Sequence, residues 1–163
     1  MAGTGRLIIR GVVGGLTIGF GGRKLFGWFG GGGRERTAEN FESFGYRDGR
    51  AMATLAGATE ITAGVGLVTG TATPLAAAAL IGEMVNAAAV HRREGLWAEN
   101  GGYEYPLVLA TAAACLAWDG PGPLSVDRAL GRERTGPGWG LGAVALGVTA
   151  GTAVWRLLRD EKH

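Results

Sequence analysis

The chain has 163 residues, of which 47% are apolar and only 18% charged, against roughly 25% charged in an ordinary soluble domain. Its net charge of +2 is spread between loops and forms no basic stripe interleaved with aromatics, which argues against nucleic acid as a partner. A single cysteine, Cys115, excludes an internal disulfide and any Cys-x-x-Cys pair, and two histidines are too few for a His-built metal or haem site.

Charges gather in Arg34–Arg50, Arg92–Glu104 and Asp127–Arg134 and at the C-terminus. Between them lie nearly charge-free stretches of about membrane length, roughly 17–25 residues. The first, Leu7–Phe29, is interrupted by Arg10 and followed by no small-residue cleavage site, so it reads as a retained span and not a signal peptide. Gly11, Gly15 and Gly19 recur every four residues and predict the face on which another helix approaches closely. Arg23 and Lys24 sit near its far end, where long cationic stems snorkel toward headgroups.

Gly30–Arg50 is a connection whose Gly run breaks the helix. Within it Thr37–Glu42 predicts a short interfacial helix, with Phe29, Phe41 and Phe44 suited to a membrane boundary. The second span, Ala51–Thr71, puts Gly57, Glu60 and Gly64 on one face. Thr73-Pro74 then sets a proline at a helix start, where its missing N–H does little harm. The third span, Pro74–His91, aligns Glu83, Asn86 and Val90, and Arg92, Arg93 and Glu94 mark its exit. After the loop "GLWAENGGYEYP" comes a fourth, Leu107–Trp118, short for a full crossing. A second loop, rich in Gly and Pro, carries Ser125 and Asp127 in position to cap a short helix at Asp127–Leu130. The fifth span, Trp139–Leu158, is bracketed by Trp139 and Trp155 like an aromatic belt.

Spans two, three and five lack the polar outer face a water-soluble helix needs. Isolated strands would leave backbone groups unpaired in lipid. The expected architecture is therefore an all-α, polytopic membrane bundle: a four-helix domain over residues 1–130, then a fifth transmembrane helix and basic tail over 131–163. With five crossings, Arg34, Arg36, Arg47, Arg50, Arg92, Arg93, Arg156, Arg159 and Lys162 share one side. Arg6, Arg10, Arg128, Arg132 and Arg134 share the other, and the positive-inside rule then favours a cytoplasmic C-terminus.

Glu60 and Glu83 fall near mid-bilayer, where a charge costs from about +2.5 to more than +10 kcal/mol. They are expected to turn inward and cluster with Asn86 and with one or both of Arg10 and Lys24. Two readings stand. The cluster is helix–helix glue, worth about 0.6 kcal/mol per hydrogen bond, or it is a functional site in which two carboxylates in low dielectric serve as a proton acceptor. Tyr103, Glu104 and Tyr105 likewise read as an interfacial anchor or as a ligand mouth, its rings stacking on a quinone or similar head. His91 reads as a solvated terminus or as a proton carrier near neutral pH. Cys115, among alanines, reads as a buried inert thiol. No GxGxxG, Walker sequence, metal-ligand cluster or triad is present. If the chain is catalytic, its reactive chemistry must come from a cofactor or a partner.

Five pieces in order, "RKLFGWFGG" (Arg23–Gly31), "FESFGY" (Phe41–Tyr46), "LAGATEITAGVGLVTGTATPLAA" (Leu55–Ala77), "GGYEYPLVL" (Gly101–Leu109) and "GPGPLSVD" (Gly120–Asp127), resemble the DoxX family of small bacterial membrane proteins over roughly Leu7–Leu130. The resemblance implies a four-helix domain in the bacterial cell membrane, associated with membrane oxidoreductase assemblies. Relatives include the DoxD-type subunit of thiosulfate:quinone oxidoreductase, and members are linked to thiol and oxidative-stress handling. The fifth apolar span departs from that pattern. The reading is thus an integral membrane subunit or scaffold of an oxidoreductase complex, with a proton-coupled carrier or a purely structural bundle as alternatives. Expected partners are the lipid bilayer, soluble oxidoreductases and, as an open option, a second copy of the chain.

Overall fold

A computed structural model describes residues 2–160, and among these the chain is all-α. Five long helices, α1 (Ala2–Phe26), α3 (Gly49–Thr69), α4 (Thr73–Val90), α5 (Glu104–Asp119) and α7 (Pro137–Leu157), are accompanied by two short ones, α2 (Gly33–Ser43) and α6 (Val126–Ala129). An isolated antiparallel bridge, Tyr46 to Arg159, joins the loop before α3 to the end of α7.

Local chemistry sets the boundaries. The glycine run after α1 supplies left-handed residues at Gly27, Gly30 and Gly33 that no other side chain adopts cheaply, so the chain turns before α2. Asp48 caps α3 by accepting from Ala51 N at 2.8 Å. Gly70, at positive φ, closes α3. Pro74 lies in the first turn of α4. Ser125 caps α6, accepting from Arg128 N at 3.2 Å.

The helices run up and down, with α1 packed along α3 and α4 packed against α3, α5 and α7. The core is built from Val13, Ala63, Leu67, Ala77, Leu80, Ile81, Leu109, Ala113 and Leu116. Seven of the fourteen buried residues of this cluster are alanine. Close backbone approach replaces side-chain volume, as helices do where lipid is as apolar as the core. The glycines used for that approach are not those the four-residue spacing predicts. Gly11 and Gly15 face outward with nothing near them, whereas Gly14 and Gly21 meet α3, and Gly147 and Gly151 meet α4. Cys115, expected to be buried, lies exposed on the outer face of α5, because the neighbouring Ala113, Leu116 and Ala117 take the inward positions.

Three helices, Gly49–Thr69, Thr73–Glu94 and Pro137–Leu157, are long and apolar enough to cross a membrane. The other two long helices differ for visible reasons. α1 carries Arg6, Arg10, Arg23 and Lys24 along its length. α5 has 16 residues, about 24 Å at 1.5 Å per residue, short of a hydrocarbon core of about 30 Å. The outer faces of α1 and α7 are covered with exposed apolar side chains, Ile8, Val12 and Leu16 on one and Leu141, Leu146 and Val148 on the other. A band of that kind on a folded chain is suited to acyl chains and not to water.

A buried carboxylate cleft and a guanidinium latch

Glu60, in mid-α3, is 3% exposed and accepts a hydrogen bond from the Lys24 ammonium, which reaches inward from the last turn of α1. That contact occupies Glu60 Oε1. Oε2 is buried without a hydrogen-bond partner. Glu83, on α4, is half-buried and makes neither a hydrogen bond nor an ion pair among the described residues. The two carboxylates and Lys24 line one cleft of about 190 Å³, walled further by Phe41, Phe44, Met84, Asn86 and His91. Glu83 and Asn86 also line a second cleft, between α3, α4 and α7, of about 150 Å³. The cleft therefore holds two carboxylates against one ammonium, at the depth where uncompensated charge is costly.

Asn86 is buried, and its Oδ1 accepts from the Tyr46 hydroxyl at 2.5 Å. Tyr46 is 3% exposed, with Phe41 edge-on at 5.2 Å and the Arg159 guanidinium 5.8 Å above its ring. Burial pushes the Tyr46 hydroxyl above the usual tyrosine range, and its bond to Asn86 and the nearby Arg159 charge oppose that shift without reversing it. Tyr46 had no assigned role in the sequence. The available signal was Asn86 itself, since a buried amide requires a partner.

Arg10, expected in the same cluster, lies apart from it. It stands 14 residues before Lys24 on one continuous helix, about 21 Å along the axis. Its guanidinium is buried at the opposite end of the bundle. There Nε donates to Leu67 O at 2.9 Å, Nη2 to Val68 O at 2.9 Å and to Leu124 O at 3.0 Å, and Nη1 to Pro121 O. One side chain thus satisfies carbonyls at the end of α3 and ties them to the Gly-Pro loop. In the same region the buried Asp127 carboxylate accepts from Ala72 N at 2.9 Å and Thr73 N at 3.1 Å, capping α4 from across the fold. These bonds hold Ala72 in a left-handed conformation, φ 46°, unusual for a residue with a Cβ.

The expected mouth of Tyr103, Glu104, Tyr105 and His91 is not assembled as one group. Glu104 accepts from Ala98 N at 3.0 Å and so fastens its own loop. Tyr105 packs on Phe20, ring centroids 5.4 Å apart, while Tyr103 is half-buried at the start of α5. His91 belongs instead to the carboxylate cleft and meets Phe44 at 5.9 Å. The chain turns away after His91 in a tight helical turn, His91–Glu94, which separates the histidine from the tyrosines. Lys162, counted in the charge balance of the C-terminal side, lies outside the described residues. Among the described residues no group of His, Cys, Asp and Glu is arranged to hold a metal ion.

The model of the DoxX family matches residues 5–93, which hold α1 to α4 and every charged residue of the carboxylate cleft. No curated protein and no solved structure matches the chain.

Proposed function

The chain belongs to the DoxX family, and from that premise we propose that this membrane protein serves as an integral subunit or scaffold of a membrane-associated oxidoreductase complex, of the thiol, oxidative-stress or quinone-linked kind. The observation that carries the chemical part is the cleft itself: two carboxylates, one ammonium and one phenol-bound amide between apolar helices. An excess carboxylate in low dielectric takes up a proton or a hydrogen-bond donor. That suits a small polar head, such as a quinone, whose reduction consumes protons. In this reading the electrons come from a bound cofactor or from a soluble partner. The predominance of arginine on the side of α2 and the α4 and α7 ends supports a cytoplasmic C-terminus.

The test is gentle solubilisation with identification of co-purifying proteins and extracted quinone. Recovery of an oxidoreductase with the wild-type protein, and loss of bound quinone but not of the partner in Glu83→Gln, is the expected result. Clean isolation of the bundle alone, without partner or quinone, would sink the proposal. A second reading, a proton-coupled carrier, draws on one further observation: Glu83 lines clefts on both of its sides. Proton-linked uptake into vesicles, abolished by Glu60→Gln or Glu83→Gln in a protein that still folds, would favour it.

A further inference from the structure

At the end of the bundle where α2, α4 and α7 finish, a third cleft of about 280 Å³ is lined by Ser43, Phe44, Arg92, Arg93, Glu94 and Arg159, together with Ala89 and Val90. Three arginines from two different chain segments line it, against one carboxylate, Glu94. None of them has a carboxylate at ion-pair distance among the described residues, where the ion pairs are Lys24–Glu60, Arg34–Glu35, Arg47–Asp160 and Arg128–Glu133. Arginines at helix C-termini have an ordinary use, since they answer the carbonyl end of the helix dipole. Two of these do so with one donor each: Arg92 donates to Ala89 O at 3.3 Å and Arg159 to Phe44 O at 2.8 Å. A guanidinium carries five N–H donors, so most of the fork remains unspent. Among the described residues Arg93 makes no hydrogen bond, ion pair or ring contact.

The arginines are also held in place. Trp155 lies between two of them, with Arg92 4.7 Å and Arg159 5.7 Å from its ring centroid. Arg159 is further fixed by the main-chain bridge to Tyr46. Three like charges are thus kept on one rim, where Arg92, Arg93 and Glu94 are exposed and Arg159 is half-buried, with guanidinium donors facing outward that an anion can accept from.

We propose that this cleft binds a phosphate group, and that its place at the ends of membrane-length helices makes an anionic lipid headgroup the source. Basic pockets between helix ends at the cytoplasmic face are suited to such headgroups, and the planar guanidinium fork matches a phosphate in two-point fashion. The inference does not depend on the carboxylate cleft or on a redox role.

The experiment uses the full chain in neutral detergent, with bound lipid counted by native mass spectrometry. Dioleoylphosphatidylglycerol is titrated against dioleoylphosphatidylcholine, and inorganic phosphate is titrated alone. The expected result is retention of the phosphatidylglycerol in preference to the phosphatidylcholine, weakened about fivefold by Arg93→Gln and unchanged by Arg34→Gln, which removes the same charge from α2. Arg93 is exposed and without a hydrogen bond or ion pair among the described residues, so the variant reports on binding. Binding of inorganic phosphate with the same dependence on Arg93, and no lipid retention, would uphold the anion site and assign it a soluble source. Equal retention of both lipids, or equal weakening by the two substitutions, would overturn the proposal.

Discussion

Gly14 on α1 and Gly64 on α3 meet backbone to backbone: a Cβ on Gly14 would stand 2.7 Å from Gly64 O, and one on Gly64 2.6 Å from Gly14 O. One heptad further along, Gly21 repeats the relationship, its Cβ position 2.6 Å from Gly57 O. Neither neighbour is a side chain that could swing aside, so the helices must part to admit a methyl group. Gly14→Ala and Gly64→Ala are each expected to cost about 1–3 kcal/mol, read as a fall in unfolding midpoint in detergent. Gly11→Ala and Gly15→Ala, which add a methyl to open space, are expected to leave the midpoint unchanged or to raise it slightly. Equal losses at all four positions would mean that α1 packs through another face.

Lys24→Met removes the cation from a carboxylate that is 3% exposed. Breaking a buried pair by deleting one partner costs about 3–5 kcal/mol, whereas exchanging both for apolar groups is often near neutral. Lys24 is itself 28% exposed, which places the loss at the lower end of that range. The double variant Lys24→Met with Glu60→Leu is expected to recover most of it, and Glu83→Gln, which breaks no hydrogen bond, to lose little. Chemical denaturation in detergent micelles measures all three. A double variant no better than Lys24→Met would show that the pair is not what holds α1 to α3 at this depth.

The helices and their order were legible because charge clusters and Gly-Pro runs separate apolar stretches, and each stretch became one helix within a few residues. Which face of each helix turns inward was much less legible. In a soluble helix, polar residues mark the outside. Here both sides are apolar, so Gly11, Gly15 and Gly19 looked as good a contact face as Gly14 and Gly21. Glu60 was readable as inward because a carboxylate in hydrocarbon has few alternatives. Arg10 was readable as buried but not as to its partners, which are backbone carbonyls at the end of α3 and in the Gly-Pro loop. Carbonyls are common to every residue type and leave no mark in a sequence. The same holds for the basic cleft, where Arg92 and Arg159 meet only because α4 and α7 end side by side.

Arg10→Lys tests that latch. A lysine retains the charge but offers three donors on one nitrogen, which cannot span carbonyls on two segments as the guanidinium does. At least one of the four carbonyls then loses its donor, at about 1–3 kcal/mol for each buried group left unpaired, while Leu67 O still accepts from Gly70 N at 3.2 Å. The loss should show as faster amide exchange in Leu67–Gly70 and at Gly122 and Leu124, with the opposite end of the bundle unaffected. Uniform exchange across the chain would argue against a local role.

Asp127→Ala deletes a cap that acts from a distance in sequence, since its carboxylate serves the N–H groups of Ala72 and Thr73. A lost cap costs about 0.5–2 kcal/mol, and burial of the freed donors sets this one at the upper end. Asp127→Asn keeps one acceptor oxygen and is expected to retain part of the stability. If the alanine and asparagine variants melt together, the carboxylate is not what fixes the start of α4.

Tyr46 gives the fold a pH limit. Its hydroxyl ionises above the ordinary value near 10 because burial disfavours the phenolate. A pKa higher in the folded than in the unfolded chain contributes stability that is fully present below the unfolded value and is lost as pH rises through the folded one. Stability should therefore fall as alkali is raised beyond the usual tyrosine range, and Tyr46→Phe should remove that component. At neutral pH the same substitution leaves Asn86 Oδ1 without its donor, at a cost of about 1–3 kcal/mol. The two effects are separated by measuring unfolding midpoints across pH. The wild type should lead Tyr46→Phe at neutrality, and the gap should narrow at high pH. A gap that stays constant as alkali rises would mean that the Tyr46 hydroxyl is not buried against Asn86 in the folded chain.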